Sequence, residues 1–124
     1  GLIYTIVLNH YMTPEPAAVA PFAAGASKNT LAKATCLAPP MPVMVMHNSG
    51  DAVFPKYGQA ARDWWVSCNA CGDPETLADG CLAYRDCADG GDVRYCEGEG
   101  GHGRWPGLHS SMFEFFLAHT RAAP

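Results

Sequence analysis

The chain has 124 residues, 48% hydrophobic and 16% charged, with 8 Lys+Arg against 12 Asp+Glu and a formal net charge of -4. That length suits one small domain over residues 1–124 and excludes two. The acidic balance and the lack of a Lys/Arg cluster exclude the electrostatic footprint of a nucleic-acid binder or of a protein held on an anionic membrane, so neither partner is expected.

In chain order, residues 1–12 read as a helix: Leu2, Ile3, Ile6, Val7 and His10 fall at helical spacing, and Pro14 and Pro16 stop it. It has no capping residue, so a preceding segment is expected. Residues 17–25 are small and apolar, consistent with a short buried strand that Pro21 weakens. Residues 26–40 read as a loop carrying Cys36. The clearest strand is 42–47, Pro-Val-Met-Val-Met-His, a continuous apolar run of the kind covered on both faces in a parallel sheet. It leads into Asn48-Ser49-Gly50-Asp51, which places a carboxylate at the strand's carboxyl end, where open α/β sheets carry their working groups.

Residues 57–68 form an amphipathic helix, with Tyr57, Ala60, Ala61, Trp64, Trp65 and Cys68 on one face. Both tryptophans are read as core or core-edge residues. Residues 68–80 make a polar excursion that cysteines pin down. Two extended segments, 81–87 and 92–96, flank the turn sequence Ala88-Asp89-Gly90-Gly91. Ser111-Met112-Phe113-Glu114 has the form of a capping box, opening a helix whose Met112, Phe113, Phe116 and Leu117 make one apolar face. Helices alternating with buried strands imply an α/β sheet with crossovers.

Six cysteines in so short a chain indicate an oxidising compartment, secreted or periplasmic, and up to three bridges. Cys68-Asn69-Ala70-Cys71 has zinc-like spacing, but no second close pair or His-X3-His completes four ligands, so no metal and no cofactor is expected.

The chemistry centres on residues 96–107. His102 sits on a glycine-rich turn after a strand-like run, where the backbone can bend sharply and present the imidazole free of neighbours. Asp51 and His102 follow successive candidate sheet strands, so both emerge on one sheet edge. A carboxylate orienting an imidazole is the second half of a Ser-His-Asp arrangement, and acid before histidine is the order found in α/β-hydrolases.

These residues resemble the secreted esterases grouped with polyhydroxybutyrate depolymerases, which include feruloyl and acetylxylan esterases. The similarity lies in residues 42–55, in the 64–71 segment ending Asn69-Ala70-Cys71, in Tyr84-Arg85-Asp86-Cys87, and in Gly100-Gly101-His102-Gly103-Arg104-Trp105-Pro106-Gly107. It implies an α/β-hydrolase fold with a mostly parallel sheet, of which this chain is the C-terminal half, and an ester substrate of the polyhydroxyalkanoate, feruloyl or acetyl-polysaccharide type. It also implies Asp51 and His102 as triad members, with Cys71–Cys87 as the best-matched pair and Cys81–Cys96 and Cys36–Cys68 by elimination. No Gly-X-Ser-X-Gly is present. By this resemblance the serine and the oxyanion-hole donors lie before residue 1, and the N-terminal half of the same domain is the main partner. Ser49 falls in the acid loop and lacks the nucleophile's context. Trp105 either lines a substrate pocket beside His102 or pins the loop with Pro106. His47 is read as structural; His10, His109 and His119 carry no supporting spacing. The rival reading is a non-catalytic, disulfide-stapled binding module.

Overall fold

A strand buried along its whole length, β1 (Val43–Asn48), organises the domain. The computed structural model describes residues 16–120; the helix expected over 1–12 lies outside them. Side chains alternate across a strand, and β1 uses both faces. Val43 and Val45 pack with Leu31, Ala61, Trp65, Val93 and Tyr95, whereas Met44 and Met46 pack with Cys81, Cys96 and Phe115. A continuous apolar run is therefore needed, because neither face of the strand meets water.

The first face is covered by α1 (Lys28–Lys33) and α2 (Tyr57–Cys68). The second face is covered by α3 (His109–Ala118), which supplies Phe115. The α1 helix corrects the expectation of a loop over 26–40. Its N-cap is Ser27, whose hydroxyl accepts from the Thr30 amide at 3.2 Å, and its one buried residue, Leu31, anchors it to the core.

The expected mostly parallel α/β-hydrolase sheet is not what forms. Among the described residues the sheet is mixed and four-stranded, in the order β1-β4-β3-β2, where β2 is Pro74–Thr76, β3 is Leu82–Tyr84 and β4 is Val93–Gly98. Among these four strands the β1–β4 ladder is parallel, and β3–β4 and β2–β3 are both antiparallel. The cause lies in the connections. A parallel crossover takes a dozen or more residues; residues 49–92 lie between β1 and β4 and hold α2, but 77–81 and 85–92 can only turn back. The cysteine-bearing excursion thus adds a hairpin to the β4 edge.

On the other edge, residues 19 and 22 make isolated parallel bridges with Val43 and Met46 instead of the expected buried strand over 17–25. Val19 both donates to Pro42 and accepts from Met44, but Pro21 can only accept, from Met46 at 2.9 Å. Its missing N–H breaks the ladder.

In α3 the capping-box reading also fails. The helix begins at His109 after an N-cap at Leu108 that makes no side-chain cap bond, and Ser111 lies inside it, buried. The expected apolar face is accordingly rotated. Phe115 is fully buried, Met112 and Phe116 are half-buried, and Phe113 and Leu117 are exposed.

All six cysteines are paired, as Cys36–Cys68, Cys71–Cys87 and Cys81–Cys96. Cys71–Cys87 is the pair expected from the resemblance, and the other two are those expected by elimination. They tie α1's exit to the end of α2, brace the excursion, and lock β3 to β4. No helix among the described residues is long and apolar enough to cross a membrane.

Candidate functional site

The parallel ladder sets the site. Its register runs from Val43 opposite Val93 to Asn48 opposite Gly98, so β1 and β4 end level with each other. Asp51 lies just beyond β1 and His102 just beyond β4, and the two loops leave the same sheet edge. They can touch because Gly50 has no side chain: a Cβ there would lie 2.6 Å from the Gly100 carbonyl oxygen.

At this edge His102 Nδ1 lies 2.9 Å from Asp51 Oδ2. An ionised carboxylate only accepts, so Nδ1 carries the hydrogen and, in the neutral ring, Nε2 is left as the acceptor. The imidazole is 37% exposed, whereas the carboxylate is buried. The other oxygen, Asp51 Oδ1, accepts from the amides of Val53 and Phe54, each at 2.9 Å. Burial pushes this carboxyl's pKa up, but the Phe54 amide, His102 and the Val53 amide outweigh it and hold it below the ordinary carboxylate value. Asp51 is thus a fixed buried anion with one oxygen directed at His102.

His47 supports the same loop. Its Nε2 lies 2.9 Å from the Phe54 carbonyl oxygen, and because a carbonyl cannot donate, that nitrogen carries the hydrogen. The same nitrogen is 3.5 Å from Asp51 Oδ2, and Nδ1 is buried without a hydrogen-bond partner. The structural reading of His47 accords with this placement.

Two residues that the sequence reading did not single out shape the site. Phe54 donates its amide to Asp51, accepts from His47, and sets its ring edge-to-face with His102 at 5.0 Å between centroids. Only the Asp-X-X spacing of an Asx-type turn hinted at the first contact. Asn48, 1% exposed, sends its Nδ2 across to the carbonyls of Gly101, at 2.9 Å, and Arg104. Its one sequence signal is an amide side chain directly after the apolar run 42–47.

Trp105 is half-buried and packs edge-to-face on Phe22 at 5.1 Å, donating its Nε1–H to His109 Nδ1 at 3.2 Å. It joins the α3-side cluster through these contacts. Ser49 is exposed in the acid loop, and no described serine hydroxyl is hydrogen-bonded to His102. The disulfides hold the frame: Cys68 and Cys71, the pair with zinc-like spacing, are each bonded to a different cysteine, and no group of three or more metal-ligating side chains occurs among the described residues. Two open clefts, of about 320 and 380 Å³, lie elsewhere: one beside Pro42 and His119, the other between α1 and α2.

An oriented imidazole with a bare Nε2 can take a proton from a hydroxyl or water and return it to a leaving group. A scan against protein-family models finds no family that matches this chain, and a search of curated proteins gives no match either.

Proposed function

We propose that this chain supplies the acid and the base of a serine-type carboxylic ester hydrolase. The observation that carries the reading is the 2.9 Å contact between His102 Nδ1 and a buried Asp51 carboxylate whose second oxygen is already committed to two amides. In the reaction, a serine hydroxyl attacks the ester carbonyl while His102 Nε2 takes its proton. The tetrahedral intermediate collapses with that proton passing to the leaving alkoxide. Water then repeats the sequence on the acyl-enzyme, returning the serine. Asp51 fixes the ring and stabilises the imidazolium at each proton transfer.

The nucleophile and oxyanion donors come, in this reading, from a preceding segment of the same domain. The resemblance of the local motifs to polyhydroxybutyrate depolymerase-type esterases favours polyhydroxyalkanoate, feruloyl or acetyl-polysaccharide esters, with Trp105 either a substrate contact or a pin of the histidine loop. Three disulfides favour a secreted or periplasmic setting.

The test is turnover of p-nitrophenyl butyrate by the protein that carries this chain together with its preceding segment. His102→Ala is expected to abolish turnover while the fold persists, and the 124-residue chain alone is expected to be inactive. Near-normal turnover by His102→Ala removes His102 from the chemistry. One observation favours a second reading, a non-catalytic disulfide-stapled module: no described serine bonds to His102. Absence of any nucleophile motif before residue 1 would select it.

A further inference from the structure

We infer that Asn48 is a positioning residue for His102, acting as a clamp between the end of β1 and the histidine loop; this rests on the reading of His102 as the general base. The loop from residue 98 to 107 contains five glycines, at 98, 100, 101, 103 and 107, and so has little conformational stiffness of its own. Backbone bonds fix its entry, where the Ser49 amide donates to the Gly98 carbonyl at 2.9 Å, and close one internal turn, Arg104 N to Gly101 O at 3.2 Å. Among the described residues, the hydrogen bonds that carry β1's rigidity beyond Gly98 come from Asn48 Nδ2, which donates to the carbonyls of Gly101 and Arg104. Those two carbonyls bracket His102: one belongs to the residue before it, the other to the second residue after it.

The orientation of the amide is forced. Carbonyl oxygens only accept, so the NH2 group must face them, and a turned amide would set oxygen against two oxygens. The consequence is that Asn48 Oδ1 is buried with no hydrogen-bond partner. An orphaned buried acceptor opposes folding, and such a group is retained where the opposite end of the side chain is needed. The pocket for Oδ1 is itself tailored, since a Cβ on Gly98 would collide with Oδ1 and with Pro106. Asp51 then meets a ring whose backbone is already held in place.

The unmodified chain gives the first test. NMR couplings across hydrogen bonds are expected between Asn48 Nδ2 and the carbonyl carbons of Gly101 and Arg104, and their absence overturns the clamp. Asn48→Leu, near in shape, removes both donors and the orphaned oxygen, so the core should persist, with Val43 and Val45 methyl shifts unchanged. In that variant the His102 Nδ1–H is expected to exchange with solvent about tenfold faster, as for the loss of ordinary hydrogen bonds. Exchange within about twofold of the parent overturns the positioning role and leaves the dyad standing. An unmodified chain with no bonded Nδ1–H at all overturns the functional reading itself. Should Asn48→Leu fail to fold, the couplings in the unmodified chain decide.

Discussion

Replacing Gly58 by alanine sets two opposing effects against each other at a point 11 residues along from His47 in sequence but in contact with it. Inside a helix this change ordinarily stabilises by about 0.5–1 kcal/mol, because glycine loses more backbone freedom on folding. Here the new Cβ would overlap the Cβ of His47 and sit 2.6 Å from its Cγ and 3.2 Å from its Cδ2. His47 cannot swing aside: it is 4% exposed and its Nε2 is held by the Phe54 carbonyl. Overpacking of this kind costs about 1–3 kcal/mol, which exceeds the propensity gain. The net effect expected is a loss of about 0.5–2 kcal/mol, read as a melting temperature lower by about 2–12 °C. Thermal unfolding followed by circular dichroism measures it. Because the start of α2 presses on His47, and His47 on Phe54, the displacement should also reach Asp51 and, on the proposed hydrolase reading, slow ester turnover by the protein that carries this chain with a preceding segment. A Gly58→Ala variant as stable as the parent, or more so, would refute the proposed packing of α2 on β1.

Further predictions concern the second face, acid pH and the bridges. Phe115→Ala should cost about 3–5 kcal/mol, while Phe113→Ser and Leu117→Ser, 59% and 76% exposed, should each stay within about 0.5 kcal/mol of the parent in urea unfolding. Equal costs at Phe113 and Phe115 would reject the observed phase of α3. Stability should fall in two stages on acidification. Burial, with the Arg94 charge and against the pull of Asp92, lowers the pKa of His119, so the folded state favours the neutral ring; that contribution is whole above the ordinary histidine value and is lost as pH falls through the lower folded one. Asp51 and Asp79, whose hydrogen bonds overcome burial to lower both pKa values, follow at more acid pH, below the ordinary carboxylate value. Melting temperatures from pH 8 to 3 check the order, and His119→Gln should remove the first stage alone. Replacing both Cys36 and Cys68 by serine opens a cross-link of sequence separation 32, an expected loss of about 3–4 kcal/mol in urea unfolding.

What the sequence disclosed followed from how local each cause is. The apolar run 43–47 of β1 and the limits of α2 were legible because continuous apolarity and a 3.6-residue period are properties of short windows; the strand's last residue, Asn48, reads in the sequence as the start of the acid loop. The same run in β1 correctly implied two covered faces, yet it carried no information on the direction of β3, which the short turns of the excursion decide. In α3, Met112, Phe113, Phe115, Phe116 and Leu117 are apolar nearly all round, so the buried face depends on where the helix begins; Ser111 offered a plausible cap, and Leu108 took the position instead. The α1 helix escaped notice because six residues with a single buried anchor leave almost no periodicity.

The site divides in the same way. Asp51 and His102 were visible as residue types at strand ends and through local motifs. Asn48 and Phe54 were not, because their parts depend on contacts that exist only after folding: Asn48 reaches residues 53 and 56 positions away, and Phe54 gives its amide to Asp51, its carbonyl to His47 and an edge-to-face ring contact to His102. Trp105 sits at the junction of the histidine loop and α3, bonded to His109 and packed on Phe22, a placement that sequence spacing alone left open.

The tautomer of His102 tests the central claim most directly. Two-bond proton–nitrogen correlation spectra of the ring, recorded at a pH where it is neutral, are predicted to show hydrogen on Nδ1 and a bare Nε2, and Asp51→Asn is predicted to abolish that preference. A ring protonated on Nε2, or one exchanging between tautomers as in a free imidazole, would contradict the acid–base pairing on which the hydrolase reading stands.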